Sequence, residues 1–345
     1  MKIYTPNKRL KVPSKDLIYT YIHLPAPPSS SKPTLLFIHG FPDTSAGWSL
    51  QISHFNSLGY GILAPDCLGY GGSSKPLSLK PYIGASMAAD LIAILNHEKI
   101  TSVVGIAHDW GTYVLSALVI WYPQRITSCA FLSIGFSPPG KKFDIARINA
   151  KTKRELGYEM YGYQVYFAED GAGKDIGRHW ESFFNLIYAA NPDLWGTTLA
   201  PLDVLKSYIT TDTLVTLAPY IPASLKAHHH SVFGDDYSAP CKWYKRAMVN
   251  LGLEEEREAL KEKRIVAVLA KRTLMVTGSL DKVCLSSYVR ERMNVMVKGG
   301  EEGGLLTVVD LEAGHWIVLD KEREFNNALE DWLRGDEYEK VASML

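Results

Sequence analysis

Gly105-Ile-Ala-His-Asp-Trp-Gly-Thr112 is the stretch on which the reading of the chain turns. The Ser102-Val-Val-Gly-Ile106 run before it is short and apolar, with strand character. The Thr112-Tyr-Val-Leu-Ser-Ala-Leu-Val-Ile-Trp-Tyr122 segment after it reads as a buried helix ended by Pro123. Small residues, Ala107 and Gly111, stand two positions either side of Asp109. A sharp strand-to-helix turn needs that spacing, because larger side chains there would collide. Such an elbow lifts its central side chain above the sheet edge and leaves neighbouring backbone N–H groups free. The usual central residue is serine; here it is aspartate.

That exchange changes the chemistry. Serine must be deprotonated before it attacks, whereas an aspartate with a reference pKa of ~3.9 is already an anion at neutral pH. It can displace a leaving group from saturated carbon and form an ester with the protein. A base is then needed only afterwards, to activate water against that ester. The plainer reading is an Asp that caps a helix N-terminus, which is common. The residues elsewhere in the chain decide between the two.

The chain has 345 residues, 46% hydrophobic and 21% charged, as expected of a globular protein with a large core. Lys plus Arg and Asp plus Glu number 37 each, so no charge excess points to nucleic acid or an anionic membrane surface. Cys67, Cys129, Cys241 and Cys284 are widely separated and include no C-x-x-C pair, which suits free thiols in a reducing compartment. Met1-Lys-Ile-Tyr-Thr-Pro6 carries no apolar signal segment, and no run is long enough to span a bilayer. Ser343-Met-Leu345 faintly resembles a peroxisomal address but lacks its basic middle residue, so the expected location is cytoplasmic.

Thr34–His39, Gly61–Pro65, Ser102–Ala107 and Cys129–Ile134 are continuous apolar runs, as the buried strands of a parallel sheet are. Helical patterns at Ser86–Leu95 and after Asp109 alternate with them, giving a βαβ succession. From Pro138 to Arg264 the chain becomes aromatic-rich and mostly helical, closing with the charged Leu253–Arg264 helix. Strand character returns at Leu274–Thr277 and Leu305–Asp310, before an amphipathic helix at Glu322–Leu333. The expected architecture is α/β: a mostly parallel central sheet flanked by helices, with an inserted helical cap after the fourth such strand. Its parts are 1–137, 138–264 and 265–345. Gly299–Gly304 reads as a flexible surface loop.

An Asp nucleophile needs a base within reach and a carboxylate to orient that base. His315, in Ala313-Gly-His-Trp316, directly follows the last expected strand. Asp281, in Thr277-Gly-Ser-Leu-Asp281, directly follows the strand before it. Ligand sites of open parallel sheets lie beyond the strand C-termini, where all three residues fall. His39-Gly-Phe-Pro42 follows the first strong strand. Backbone N–H groups of Phe41 and Trp110 are therefore the candidate oxyanion hole, aimed by a cis Phe41–Pro42 bond.

On these residues the chain resembles the soluble epoxide hydrolases of the α/β-hydrolase fold. The likeness is carried by His39-Gly-Phe-Pro42, Asp66-Cys-Leu-Gly-Tyr-Gly-Gly-Ser73, His108-Asp-Trp-Gly111, Asp281 and Gly314-His-Trp316. The order nucleophile, acid, histidine is that of the same fold. The resemblance implies a cap with two tyrosines that donate hydrogen bonds to the epoxide oxygen. Tyr163-Gln-Val-Tyr-Phe167 maps one to Tyr163, and Trp243-Tyr244 maps the other to Tyr244. A phenol of pKa about 10 remains protonated at neutral pH and can donate to a developing oxyanion. Phe41, Trp110 and Trp316 join the two tyrosines as expected substrate-lining residues. Aromatic density at Tyr158, Tyr161, Trp180, Phe183, Phe184 and Trp195 suggests an apolar or aromatic epoxide.

The resemblance implies no cofactor, no metal, a small-molecule epoxide as substrate, and a homodimer as an open option for assembly. His228-His-His230 is read as a solvated cap loop rather than a metal clip, since adjacent side chains converge poorly on one ion. His108 is read as structural. The nearest alternative is a haloalkane or haloacid dehalogenase, which shares the Asp nucleophile but must stabilise a halide. Phe41 and the tyrosine motifs favour the epoxide. A cyclase that opens an epoxide with a substrate hydroxyl remains open. A non-catalytic ligand receptor on the same fold would have no need of an Asp–His–Asp set.

Overall fold

The structure is a computed structural model describing residues 2–12 and 16–342, with side chains through 335. The Ser343–Leu345 reading therefore lies outside the described residues. The strands are β1 (Lys8–Val12), β2 (Leu17–Leu24), β3 (Thr34–Ile38), β4 (Gly61–Pro65), β5 (Val103–His108), β6 (Ile126–Leu132), β7 (Thr273–Gly278) and β8 (Leu306–Leu311). They form one sheet in the order β1-β2-β4-β3-β5-β6-β7-β8. From β4 to β8 every pairing is parallel, while β1 and β2 run antiparallel at one edge.

β1 and β2 escaped the sequence reading, which sought continuous apolar runs. Each has only one face toward the core, so polar residues interrupt it. Tyr19 and Tyr21 of β2 are buried, and their hydroxyls donate to Asp90 at 3.0 Å and Glu98 at 2.5 Å. The β6 strand also begins earlier than expected, at Ile126, because Thr127 is exposed and breaks the apolar run.

The core-flanking helices are α1 (Ser49–Ser57), α2 (Gly84–His97) and α3 (Gly111–Trp121). Between β6 and β7 stand α4 (Ile145–Leu156), α5 (Gly162–Phe167), α6 (Ala172–Arg178), α7 (Trp180–Ile187), α8 (Val204–Thr210), α9 (Ala223–Phe233), α10 (Lys242–Met248) and α11 (Leu253–Lys261). α12 (Ser286–Met296), α13 (Ile317–Asp320) and α14 (Glu322–Ala342) follow β7 and β8 among the described residues. Among the described residues no helix is long and apolar enough to cross a membrane.

The helices between β6 and β7 are docked onto loops at the C-terminal ends of the strands. The Trp243 indole donates to the Leu68 carbonyl at 2.9 Å, and the Trp316 indole donates to Ile187 at 2.8 Å. Burying an aromatic of about 200 Å² at about 25 cal/mol/Å² contributes about 5 kcal/mol, against about 1 for one hydrogen bond. Packing therefore supplies the strength of this docking, and the hydrogen bonds supply its register.

Two sequence readings are corrected here. His228, His229 and His230 lie on α9, not in a solvated loop. Successive helical side chains point about 100° apart, so His229 is buried while His230 is exposed. Gly299–Gly304 is indeed a surface turn, but it is tied down: Glu301 accepts from Arg290 Nε at 2.9 Å and Asn294 at 2.6 Å.

Candidate active site

Parallel register brings the candidate residues to one edge. Ile38 pairs with Ala107, Ala107 with Phe131, Leu132 with Val276, and Gly278 with Leu311. The residues that follow these positions leave the sheet together, and among them are Phe41, Asp109, Asp281 and His315.

Asp109 occupies the elbow with φ +50°, the strained left-handed conformation that the turn requires. Small neighbours make it possible. A Cβ on Gly111 would lie 2.3 Å from the Ile38 carbonyl oxygen, and one on Gly40 would lie 2.3 Å from Asp109 Oδ1. The Asp109 carbonyl accepts from the Thr112 N–H at 3.0 Å and its hydroxyl at 2.7 Å, starting α3. The Phe41 N–H donates to Asp109 Oδ1 at 2.8 Å, and the Phe41–Pro42 bond is cis, as expected.

His315 stands between two carboxylates. Its Nδ1 is 2.7 Å from Asp281 Oδ2 and its Nε2 is 3.6 Å from Asp109 Oδ2, with all three residues buried. The other Asp281 oxygen accepts from the Val283 N–H at 2.9 Å and the Cys284 N–H at 3.0 Å, so this carboxylate is locked. Burial alone would drive His315 toward neutrality, but the Asp281 and Asp109 carboxylates outweigh it and hold its pKa well above the ordinary value. Burial also opposes ionisation of Asp109, yet hydrogen bonding and charge from His315, with the Phe41 N–H, bring its pKa below the usual carboxylate range. The pair is an ion pair at neutral pH. By contrast, burial and then the His315 charge push His108 down to about 4. Its Nε2 lies 3.0 Å from the His315 carbonyl, so the neutral ring donates there and fixes the backbone of that loop.

Tyr163 on α5 and Tyr244 on α10 pack together beside Phe41 and Trp110, the neighbours of this carboxylate. Their rings are 6.1 Å apart, and Tyr244 packs edge-on against Phe41 at 5.0 Å and Trp110 at 5.3 Å. Burial raises both phenols well above the ordinary value, with Asp109 among the further causes, so both keep their protons. The Gln164 side-chain N–H donates to Tyr163 Oη at 3.2 Å, which leaves the phenolic proton of Tyr163 for another acceptor. Trp110 is half-buried, with the Arg246 guanidinium 5.1 Å from its ring. Trp316 is buried 5.5 Å from both His315 and His108, and it packs on Tyr188 at 4.5 Å.

Sequence reasoning missed several supports. Trp195 lies against the His315 ring at 4.9 Å, where the sequence showed only a cluster of aromatics. Asp66 accepts from Ser45 N–H at 3.0 Å, Ser45 hydroxyl at 2.7 Å, Thr20 hydroxyl at 2.8 Å and Gly72 N–H at 3.0 Å. It ties the loop after β4 to the loop that carries Phe41. The buried His229 accepts from the Trp180 indole at 3.1 Å on Nδ1, so its Nε2 carries the proton directed at the Pro42 carbonyl, 3.1 Å away. Three adjacent histidines gave no sign of this clamp; the helical phase of α9 would have.

Residues 33–198 match the family described as the alpha/beta hydrolase fold. The chain is 26% identical to "Epoxide hydrolase srdG" of Neurospora crassa over 339 residues, 94% of each chain. It is 27% identical to "Bifunctional epoxide hydrolase 2" of Mus musculus over 320 residues, 89% of this chain and 52% of that one. The chain thus spans about half the length of the mammalian bifunctional proteins it matches. The crystal structure of "Epoxide Hydrolase A" from Mycobacterium thermoresistibile superposes with a TM-score of 0.75 at 26% identity, covering 96% of this chain and 99% of that one. Fold and site define an α/β-hydrolase. Within that superfamily, the relatives and the solved structure that it resembles carry epoxide hydrolase names.

The electrostatics are open to direct test by nitrogen-detected NMR on histidine-labelled protein. His315 is expected to stay doubly protonated above neutral pH, while His108 and His229 stay neutral down to about 4 and about 3. A His315 that titrates near the unperturbed value of about 6.5 would contradict the ion-pair account.

Proposed function

We propose that this protein hydrolyses an apolar or aromatic epoxide to a vicinal diol, with Asp109 as nucleophile, His315 as base and Asp281 as its orienter. The observation that carries the reading is the Asp109 carboxylate itself. One oxygen is held by the Phe41 N–H at 2.8 Å, the other lies 3.6 Å from His315, and its charge helps to keep the Tyr163 and Tyr244 phenols protonated. A dehalogenase would need donors for a departing halide. Here Phe41 packs its ring against Phe167 at 5.1 Å and Tyr244 at 5.0 Å, an environment suited to an apolar carbon skeleton.

In the first step an Asp109 oxygen attacks an epoxide carbon, the C–O bond breaks, and Tyr163 or Tyr244 gives the alkoxide its proton. Asp109 becomes a neutral ester. One of the two negative charges that hold the His315 pKa up is thereby lost, its pKa falls, and its proton passes through solvent to the phenolate. The ion pair at rest and the free base afterwards are two states of one electrostatic arrangement. His315 then takes a proton from water, and the hydroxide attacks the ester carbonyl carbon. The resulting oxyanion is stabilised by the Phe41 and Trp110 N–H groups. Its collapse breaks the bond between the Asp109 carbonyl carbon and the diol oxygen, and that oxygen takes a proton from His315. The proton of the regenerated Asp109 carboxyl passes back to His315 and restores the ion pair. Asp281 holds the imidazole and stabilises its charged form.

Residues 138–264 are the cap in this reading, contributing Tyr163 and Tyr244, while 1–137 and 265–345 form the hydrolase core. The four buried free cysteines suit a reducing compartment such as the cytoplasm.

Asp109→Ala and His315→Gln are each expected to abolish turnover but to fail differently. Intact mass spectrometry after epoxide addition should show no adduct on Asp109→Ala and a stable one-substrate adduct on His315→Gln. An unshifted His315→Gln mass, despite confirmed binding, would count against a covalent route.

Either Tyr163→Phe or Tyr244→Phe should slow alkylation by roughly ten- to a thousand-fold, and the double variant should lose far more. Near-native turnover by the double variant in a stopped assay for diol would refute both assignments.

A further inference from the structure

Cys284 is a buried thiol that the hydrolytic scheme leaves without a task. It follows Asp281 by three residues in a turn whose hydrogen bonds, from the amides of Val283 and Cys284 to Asp281 Oδ1, fold the chain back on itself. Ligand atoms of Asp281, Cys284 and His315 consequently lie within 4.8 Å of one another. A thiolate, an imidazole and a carboxylate are the donor set of a borderline-soft tetrahedral ion, with the fourth position left open. With bonds of about 2.0–2.3 Å, such an ion needs its ligands roughly 3.3–3.7 Å apart, so only small side-chain rotations separate this cluster from a closed site. A crevice lined by Trp195, Lys282, Gly314 and Tyr220 leads to the Asp281–His315 pair and offers an entry path.

We infer that Asp281, Cys284 and His315 form an inhibitory site for a thiophilic divalent cation, Zn²⁺ or Cd²⁺. Binding exchanges the Cys284 S–H proton and the imidazole proton for metal bonds; both protons pass to solvent and no electron moves. Burial pushes the thiol up to about 12, so it is inert as a free nucleophile at neutral pH and becomes a ligand only to an ion strong enough to displace its proton. Metal binding stands on the cluster alone. Loss of turnover on binding rests on the proposed role of His315 as base.

The test pairs absorbance with activity in the uncut chain, using Cys284→Ser and Cys284→Ala, which both keep the backbone amide that holds Asp281. Cd²⁺ titration of the native protein should produce a thiolate-to-metal ultraviolet band that the Cys284 variants lack. His315→Gln should bind Cd²⁺ roughly 10–100-fold more weakly. Zn²⁺ should inhibit native epoxide turnover reversibly, with activity restored by a chelator. The Cys284 variants should retain native turnover and need at least roughly tenfold more Zn²⁺ for the same inhibition. An unchanged band in Cys284→Ser and Cys284→Ala overturns the site. A normal Cys284-dependent band with unimpaired turnover overturns the inhibition and, separately, the role given to His315.

Discussion

Everything at this sheet edge answers to one constraint: a buried imidazolium must sit between two buried carboxylates. Removing such charges from water costs several kcal/mol each, and their attraction offsets this only when geometry is tight and the remaining lone pairs are satisfied. Asp281 meets that condition with two backbone amides on one oxygen and His315 on the other. Asp109 meets it with the Phe41 N–H and His315. If either carboxylate is lost, His315 keeps only one partner. In the proposed reaction the arrangement doubles as a detector of the Asp109 charge, which esterification would remove.

The fold supplies the rigidity this requires. Parallel β3, β5, β7 and β8 end level with one another, so loops far apart in sequence converge without long excursions. Glycines 40 and 111 permit a backbone approach that any side chain would block. The helices between β6 and β7 close the site from above, and they reach the core through directional contacts: Trp243 to Leu68, Trp316 to Ile187, His229 to Pro42. The last of these lies one residue from the amide that holds Asp109. The helical layer thus bears on the same loop as the sheet.

Much of this was legible in the sequence because its signals are local. A strand-turn-helix with small flanking residues exposes Asp109, and turns directly after apolar runs expose Asp281 and His315. The tyrosines came only through resemblance; spacing alone could not separate Tyr163 from Tyr161 or Tyr166, all of which are apolar bodies with a polar tip. What stayed hidden depends on tertiary phase. β1 and β2 bury one face and so lack a continuous apolar run. His229 turns inward because of where α9 begins. Gln164, Trp195 and Cys284 acquire their places only when the helical layer and the β7–α12 loop meet the sheet. The charge state of His315 was likewise illegible, since it is set by two carboxylates distant in sequence.

The central claim is that product oxygen comes first from Asp109, not from solvent. A single-turnover reaction in ¹⁸O-labelled water, with enzyme in excess over epoxide, separates the two sources. Water attack on the ester carbonyl carbon predicts mostly unlabelled diol and ¹⁸O in the Asp109 carboxylate, located by peptide mass spectrometry. Fully labelled diol in that first turnover, with an unlabelled Asp109, would contradict the covalent account and recast Asp109 as a group that merely positions or deprotonates water.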